Sequence, residues 1–472
     1  MAPNPTRTQG GAALRRSCSL ASVTALIAGA CLTLALGGCG KPSSEAPATG
    51  AAGPTPGAAS GAKVTLTVWD WHAADPSKGV GLWLTGIDRE FAQAHPNVTT
   101  KHVGQSHTEY YEIFKAAAAA ASPERGPDVV MLHQGSRIMD QTGSLTPLTD
   151  YITPDFKKKI VGWELTCEGF DPEGTPWAVP IAVQGLVWYY NKAVLREAGL
   201  NPETPPRAWK DFLAACAAVR KVGKTGVAMG EKEGFWAEWF INSAYGQTFR
   251  AGDKERLRSG EMKWTDPKLV AVLGKLKELG DRGCFQKGAM STPLFPDAGE
   301  VFMRGEAAFF LGLISDVAHW REFGEMIGPE NVGVMTCPVF GDSPERDKFP
   351  TGGAFAYAVT KWCPNPDVAF EYISFVANDE HANSFLRDVG SFPANQDYDR
   401  ALLTDPTAKS IAQWMAEGRG GSQMTEAIPT PVGEALRRQC QRLLTGQTDV
   451  RGALAAVDRE AQATRRKEAE SR

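Results

Sequence analysis

Several kinds of chemistry are missing from this 472-residue chain. It contains no Gly-x-Ser-x-Gly elbow, no His-Glu-x-x-His, no Cys-x-x-Cys and no Walker loop. Elbow hydrolases, zinc proteases, dithiol oxidoreductases and P-loop enzymes therefore find no signature here. Gly223-Lys224-Thr225 comes nearest to a phosphate loop, but Ala218 stands where a leading glycine is needed. The seven histidines are scattered, and His102 with His107 do not make a helical metal pair. No metal site and no cofactor are expected. Excess positive charge is absent as well. The net charge is −4, and −7 once Arg7, Arg15 and Arg16 of the first 38 residues are set aside. That balance speaks against a nucleic-acid surface, which needs clustered Lys and Arg.

Long clean apolar runs are also lacking. Leu20 to Leu36 is diluted by Ser, Thr and Gly, short of the roughly 20 apolar residues that a retained spanning helix needs. Behind Arg15-Arg16 and ahead of Leu36-Gly37-Gly38-Cys39, it reads as an export signal over residues 1–38. The quartet looks like a bacterial lipobox, which implies a lipidated N-terminus at Cys39. A plain secretory signal is the alternative. Residues 39–62 are rich in Ala, Gly, Pro and Ser and cannot fold alone. They read as a flexible tether spanning roughly 25–30 Å.

Cysteine is sparse beyond Cys39: Cys167, Cys216, Cys284, Cys337, Cys363 and Cys440. An exported chain can oxidise them. Cys337 and Cys363, near the ends of two predicted strands, are the pair put forward, and Cys216 reads as a buried thiol.

What remains is ample for a globular protein, and its length predicts two domains. Val64 to Trp69, Val98 to Val103 and Asp128 to Leu132 read as strands. Helices at Gly81–His95 and Thr108–Ala121 lie between them. This β-α-β-α-β order predicts an α/β fold with a parallel, doubly wound sheet. Ligands of such sheets bind beyond the carboxyl ends of strands. That rule selects Trp71, His72, Gln134 and Gly135, although each also suits a structural turn.

The uncharged run Val179 to Tyr190 is interrupted mainly by Gln184-Gly185. It suits a strand buried on both faces, crossing from one lobe to another with Gln184 in the cleft. A buried amide needs a partner, and Gly185 lets something approach the backbone. The same residues also fit a core strand whose amide bonds a neighbouring loop. In Glu233 to Phe240, Trp236 and Trp239 are candidate platforms for sugar rings, Trp236 foremost. Aromatics at helical spacing equally suit a core.

Order and spacing carry a family resemblance. Val179-Pro180, Tyr190-Asn191-Lys192, Ala198-Gly199-Leu200, Pro205-Pro206, Trp209 and Phe212 resemble the middle of the family 1 extracellular solute-binding proteins. These are carbohydrate-type subunits of ABC importers, a family that includes maltose-binding protein. Phe91 with Pro96-Asn97, Gly126 to Val130, Gly143-x-Leu145-x-Pro147-Leu148, and Phe302, Gly305, Ala307 and Ala308 extend the likeness across roughly 63–460.

The resemblance implies a type II, two-lobed periplasmic-binding-protein fold with strands crossing between lobes. It implies ligand contacts at Trp71-His72, Gln134-Gly135 and Gln184. Gly353 and Phe355 join them through the Gly352-Gly353-Ala354-Phe355 loop. The crossing-strand acid of sugar-binding relatives is Gln184 here, and a frequent Trp is Ile314. Both departures leave the sugar open.

The expected partition is lobe 1 from 63–183, lobe 2 from 184–336, lobe 1 again from 337–392, and C-terminal helices of 393–472 mainly in lobe 2. The closing segment Asp458 to Arg472 reads as a solvated helix face or frayed end. The expected protein is a lipid-anchored, exported monomer without enzymatic activity. It would capture a sugar-like solute for ABC permease subunits, touch the membrane only through its lipid and bind no nucleic acid. An exported carbohydrate hydrolase and a ligand-sensing receptor subunit remain the rivals.

Overall fold

Alternation builds the first strand. In β1 (Val64–Trp69), Leu66 and Val68 turn inward while Thr65 and Thr67 do not. The computed structural model describes residues 63–470 except 107–108, 123, 125, 167–173, 316–318 and 426–427. The export signal, Cys39, the tether and Cys167 lie outside the described residues. Among the described residues the further strands are β2 (Val98–Val103), β3 (Val129–His133), β4 (Val179–Pro180), β5 (Val183–Asn191), β6 (Thr225–Ala228), β7 (Ala307–Leu313), β8 (Val332–Met335), β9 (Phe349–Gly353), β10 (Phe355–Val359) and β11 (Gly420–Gly421).

They form two sheets. The first runs β2-β1-β3-β10-β4, and the second runs β11-β9-β5-β7-β6 with β8 also on β5. β1 pairs in parallel with β2 and β3, joined by helices Gly79–Ala94 and Tyr110–Ala120. β10 then adds antiparallel between β3 and β4, so the sheet is mixed. Its strands bury both faces. Leu66, Val129, Met131, Phe355 and Tyr357 enter one core, and Trp69, Val130, Leu132, Ala356 and Ala358 enter the other.

The second sheet has β5 at its centre, its uncharged side chains buried except at Gln184. A single large core gathers around it, including Trp188, Tyr189, Phe212, Trp236 and Phe310. Helices Thr430–Leu444 and Val450–Glu470 close this lobe. The last helix is more than a solvated end. Ala461 and Thr464 are buried, and Asp458 Oδ1 accepts the Trp264 N–H at 3.1 Å.

The expected return to lobe 1 shifts along the chain. β8 lies antiparallel on β5, and so does β9, with Gln184 opposite Gly352. The chain therefore rejoins the first sheet at Ala354, not near Cys337. The helix Pro366–Val376 that follows β10 ends at Ala377-Asn378. The Asn378 side chain accepts the His381 N–H at 2.7 Å and so starts a new helix, Asp379–Ser384.

Three passes of chain link the lobes. Ile181 to Val183 is the middle one. On one side the Ile181 N–H donates to Phe355 O and the Ala354 N–H donates to Ala182 O. On the other side the Val183 N–H donates to Phe392 O and the Ala394 N–H donates to Ile181 O.

The thiol pairing also differs. Cys337 and Cys363 are free and buried in separate cores, one in each lobe, so they do not pair. Cys216 is a buried thiol as expected.

Candidate functional site

The carboxyl end of β1 opens the site. Asp70 is fully buried and caps the short turn Trp71–Ala74 by accepting the His72 N–H at 2.8 Å. His72 Nδ1 lies 2.7 Å from the same oxygen, and the Tyr357 hydroxyl donates to the other at 2.5 Å. Burial alone would raise the Asp70 carboxyl. The His72 charge and the hydrogen bonds from His72 and Tyr357 outweigh burial and hold it below its ordinary value. An ionised carboxylate only accepts, so Nδ1 of His72 carries the proton and the ring orientation is fixed. Tyr357 shows the counterpart: burial and then Asp70 push its hydroxyl far up.

Around this anchor the aromatic rings gather. Trp71 sits 5.4 Å from His72, 4.7 Å from His133 and 5.0 Å from Tyr110. His72 lies 5.1 Å from Phe355. Tyr111 completes the cluster and carries the Arg137 guanidinium 4.5 Å above its ring. Trp71, His72 and His133 are all partly exposed, whereas Phe355 is fully buried and acts as their support.

Gln134 and Gly135 lie just past β3. Gly135 is buried and donates its N–H to Leu165 O at 2.7 Å. Gln134 is buried too; its Nε2 donates to Phe355 O at 3.3 Å while its Oε1 has no partner among the described residues. Its amide fills the space that Gly353 leaves by having no side chain. Gly353 is thus packed on protein, not bare.

Gln184 sits on β5 directly after the middle pass. Its side chain is half-buried and makes no hydrogen bond among the described residues. On the same face, near the space above Gly352, lie Leu165 of lobe 1 and the buried Nε2 of Gln423, which has no partner. Gly185 serves a different purpose. What approaches it is the Ile314 side chain and the Pro350 carbonyl.

The two tryptophans of the helix Phe235–Ala244 part company. Trp236 is wholly enclosed among Trp188, Phe240 and Phe285, so it presents no face to a solute. The core side of the helix claims it through the i, i+4 pairing with Phe240. Trp239 is half-buried and sits 5.7 Å from Phe295, itself 46% exposed and stacked on His319.

The lobes also meet away from the crossing strands, where the Thr430 hydroxyl donates to Asp140 at 2.7 Å. His133, Tyr111, Arg137, Gln423 and Phe295 were missed by sequence reasoning. His133 carries the same strand-end signal as Gln134, and the others carry none.

The model for "Bacterial extracellular solute-binding protein" matches residues 87–414. The maltodextrin-binding protein MdxE of Bacillus subtilis is 24% identical over 66% of this chain and 70% of its own. The sn-glycerol-3-phosphate-binding periplasmic protein UgpB of Rhizobium meliloti is 22% identical, over 82% of this chain and 91% of its own. A solved chitin oligosaccharide binding protein superposes with a TM-score of 0.73 at 20% identity, covering 85% of this chain and 98% of its own. The two-lobed fold is common to this chain and to that structure.

Proposed function

The chain belongs to the bacterial extracellular solute-binding proteins, and from that premise we propose that it is the substrate-binding component of an ABC importer. It captures a sugar or similar small polar solute between its lobes and delivers it to permease subunits. The observation that carries this reading is the set of unmet amides at the crossing strands. Among the described residues Gln184 is half-buried without a hydrogen bond, and beside the same strands Gln134 Oε1 and Gln423 Nε2 are buried without partners. A buried group costs about 1–3 kcal/mol if left unmet, and Gln184, the partly exposed one of the three, is the amide that a solute hydroxyl can reach.

Relatives named for maltodextrin and sn-glycerol-3-phosphate support a small hydroxylated solute. A solute that touches Gln184 and Trp239 on one lobe and Trp71 or His72 on the other binds the closed arrangement best, and so stabilises it. The site binds and does not cleave. Asp70, the acid at its aromatic wall, is occupied by His72 and Tyr357 and is not poised as one of the paired carboxylates that glycoside hydrolysis needs.

The protein is exported, lipidated at Cys39, held by that lipid alone and monomeric. Mass spectrometry of the N-terminus and detergent partitioning test the anchor. A thermal-shift screen of the mature chain against neutral sugars, polyols and their phosphates tests the main reading. A ligand at a hundred times its Kd adds about 2.7 kcal/mol of apparent stability. If no member of the panel shifts the melting temperature, the reading is wrong, and release of new reducing ends would favour a hydrolase.

A further inference from the structure

Beside β9 and β11, on lobe 2, lies a cavity of about 410 Å³, within the size range of small-molecule sites. Its lining carries Arg250, Lys254 and Lys348 as cations against Glu255 and Glu345. Lys348 and Glu345 neutralise each other at 2.7 Å.

Lys254 differs. Its ammonium donates to the Ser422 hydroxyl at 2.5 Å, and among the described residues it makes no ion pair. Asp253, next to it in sequence, is already engaged by the Lys268 ammonium, the Arg250 N–H at 2.8 Å and Arg256 at 3.3 Å. Arg250 likewise has an exposed side chain without an ion pair among the described residues. Burial pulls the Lys254 ammonium below its ordinary value, with Glu255 and then Glu164 opposing. Glu164 belongs to lobe 1, in the segment Trp163–Leu165. Ser422 adjoins Gln423, whose Nε2 lacks a partner, so the cavity is continuous in sequence with the unmet amides.

A half-buried ammonium whose only acceptor among the described residues is a neutral hydroxyl is incomplete. A charge-assisted bond to an anionic oxygen would complete it. We propose that the solute carries a negative group, a phosphate or a carboxylate, and that Lys254 with Arg250 receives it in this cavity. This rests on the solute-binding reading above and narrows its substrate class.

Isothermal titration of the mature chain with glycerol 3-phosphate, glucose 6-phosphate and glucuronate, beside neutral glycerol and glucose, tests it. At least one anionic probe should bind about tenfold or more tighter than its neutral parent, and added salt should weaken it. Glucose 6-phosphate against glucuronate separates phosphate from carboxylate. Lys254→Met and Arg250→Gln should each lower anion affinity at least about fivefold while leaving the far-ultraviolet dichroism unchanged. Should Lys254→Met fail to fold, the exposed Arg250 still decides the outcome. Neutral oligosaccharides that bind equally to wild type and Lys254→Met overturn the anionic assignment and leave the solute-binding reading standing. Anion binding indifferent to both substitutions overturns the site. A panel in which nothing binds, neutral or charged, overturns both readings.

Discussion

Gln134 occupies the place of a side chain that Gly353 does not have. A Cβ built on Gly353 would lie 1.7 Å from Gln134 Oε1 and 1.9 Å from Nε2. One residue belongs to the end of β3, the other to the strand that passes between lobes, so the contact locks a lobe 1 loop onto the crossing.

Gly353→Ala should expel the Gln134 amide and cost about 1–3 kcal/mol, the usual penalty of overpacking. The double substitution Gly353→Ala with Gln134→Ala should recover part of that loss, because the second change removes the clashing amide. Urea denaturation of the single and double variants gives the coupling directly.

Gln184→Leu separates binding from folding. Its amide makes no protein hydrogen bond among the described residues, so stability should change by less than about 0.5 kcal/mol. Solute affinity should fall about tenfold or more, since a buried solute hydroxyl loses its partner. Equal losses in stability and affinity would instead place the amide in the fold's own hydrogen-bond network.

Trp236→Ala and Trp239→Ala should fail in opposite ways. The first empties a sealed site and costs about 3–5 kcal/mol, with affinity reduced only through lost folded protein. The second removes a half-buried ring beside Phe295 and should weaken binding with a smaller thermal shift. Melting curves with and without saturating ligand distinguish them.

Glu231 gives the protein a pH-dependent weakness. It is buried, one oxygen accepts the Ala237 N–H at 2.9 Å and the other has no partner. Burial, with Glu238 and Glu233 adding, pushes the carboxyl up to about 8 from an ordinary 4.5. The folded state therefore holds a proton that the unfolded chain has released. The stabilisation is full below about pH 4.5 and is lost as pH rises toward about 8. Glu231→Gln should flatten this slope, adding on the order of a few kcal/mol at the alkaline end. Chemical denaturation at about pH 5.5 and pH 8 checks the sign.

The sequence disclosed most where local and global demands agree. β1 emerged from alternation and β3 from an unbroken apolar run, and the strand-end rule reached Trp71 and His72, which the structure gathers at Asp70, and Gln134, which it packs against Phe355 and Gly353. It also gave β5, the strand that the pass Ile181 to Val183 leads into. It was silent on helix phase. Phe235, Trp236, Trp239 and Phe240 form two i, i+4 pairs on adjacent faces about 100° apart, and only the presence of Trp188 beneath decides which pair turns inward. Sheet membership was equally hidden. Val332 to Met335 reads as a strand in any sheet, and its pairing with β5 depends on residues far away in sequence. The proposed Cys337–Cys363 bridge failed for the same reason, since adjacency along the chain placed the thiols in different cores.

The order of strands in the first sheet sets a timetable for synthesis. β10 lies between β3 and β4, yet it leaves the ribosome long after either. Until residue 359 emerges, β3 and β4 have a gap between them and a row of unpaired backbone groups on each facing edge. Neither lobe is a continuous length of polypeptide, so no fragment cut at one point is one whole lobe and nothing of the other. A nascent chain that stalls before Phe355 must shield those edges or meet a chaperone that does.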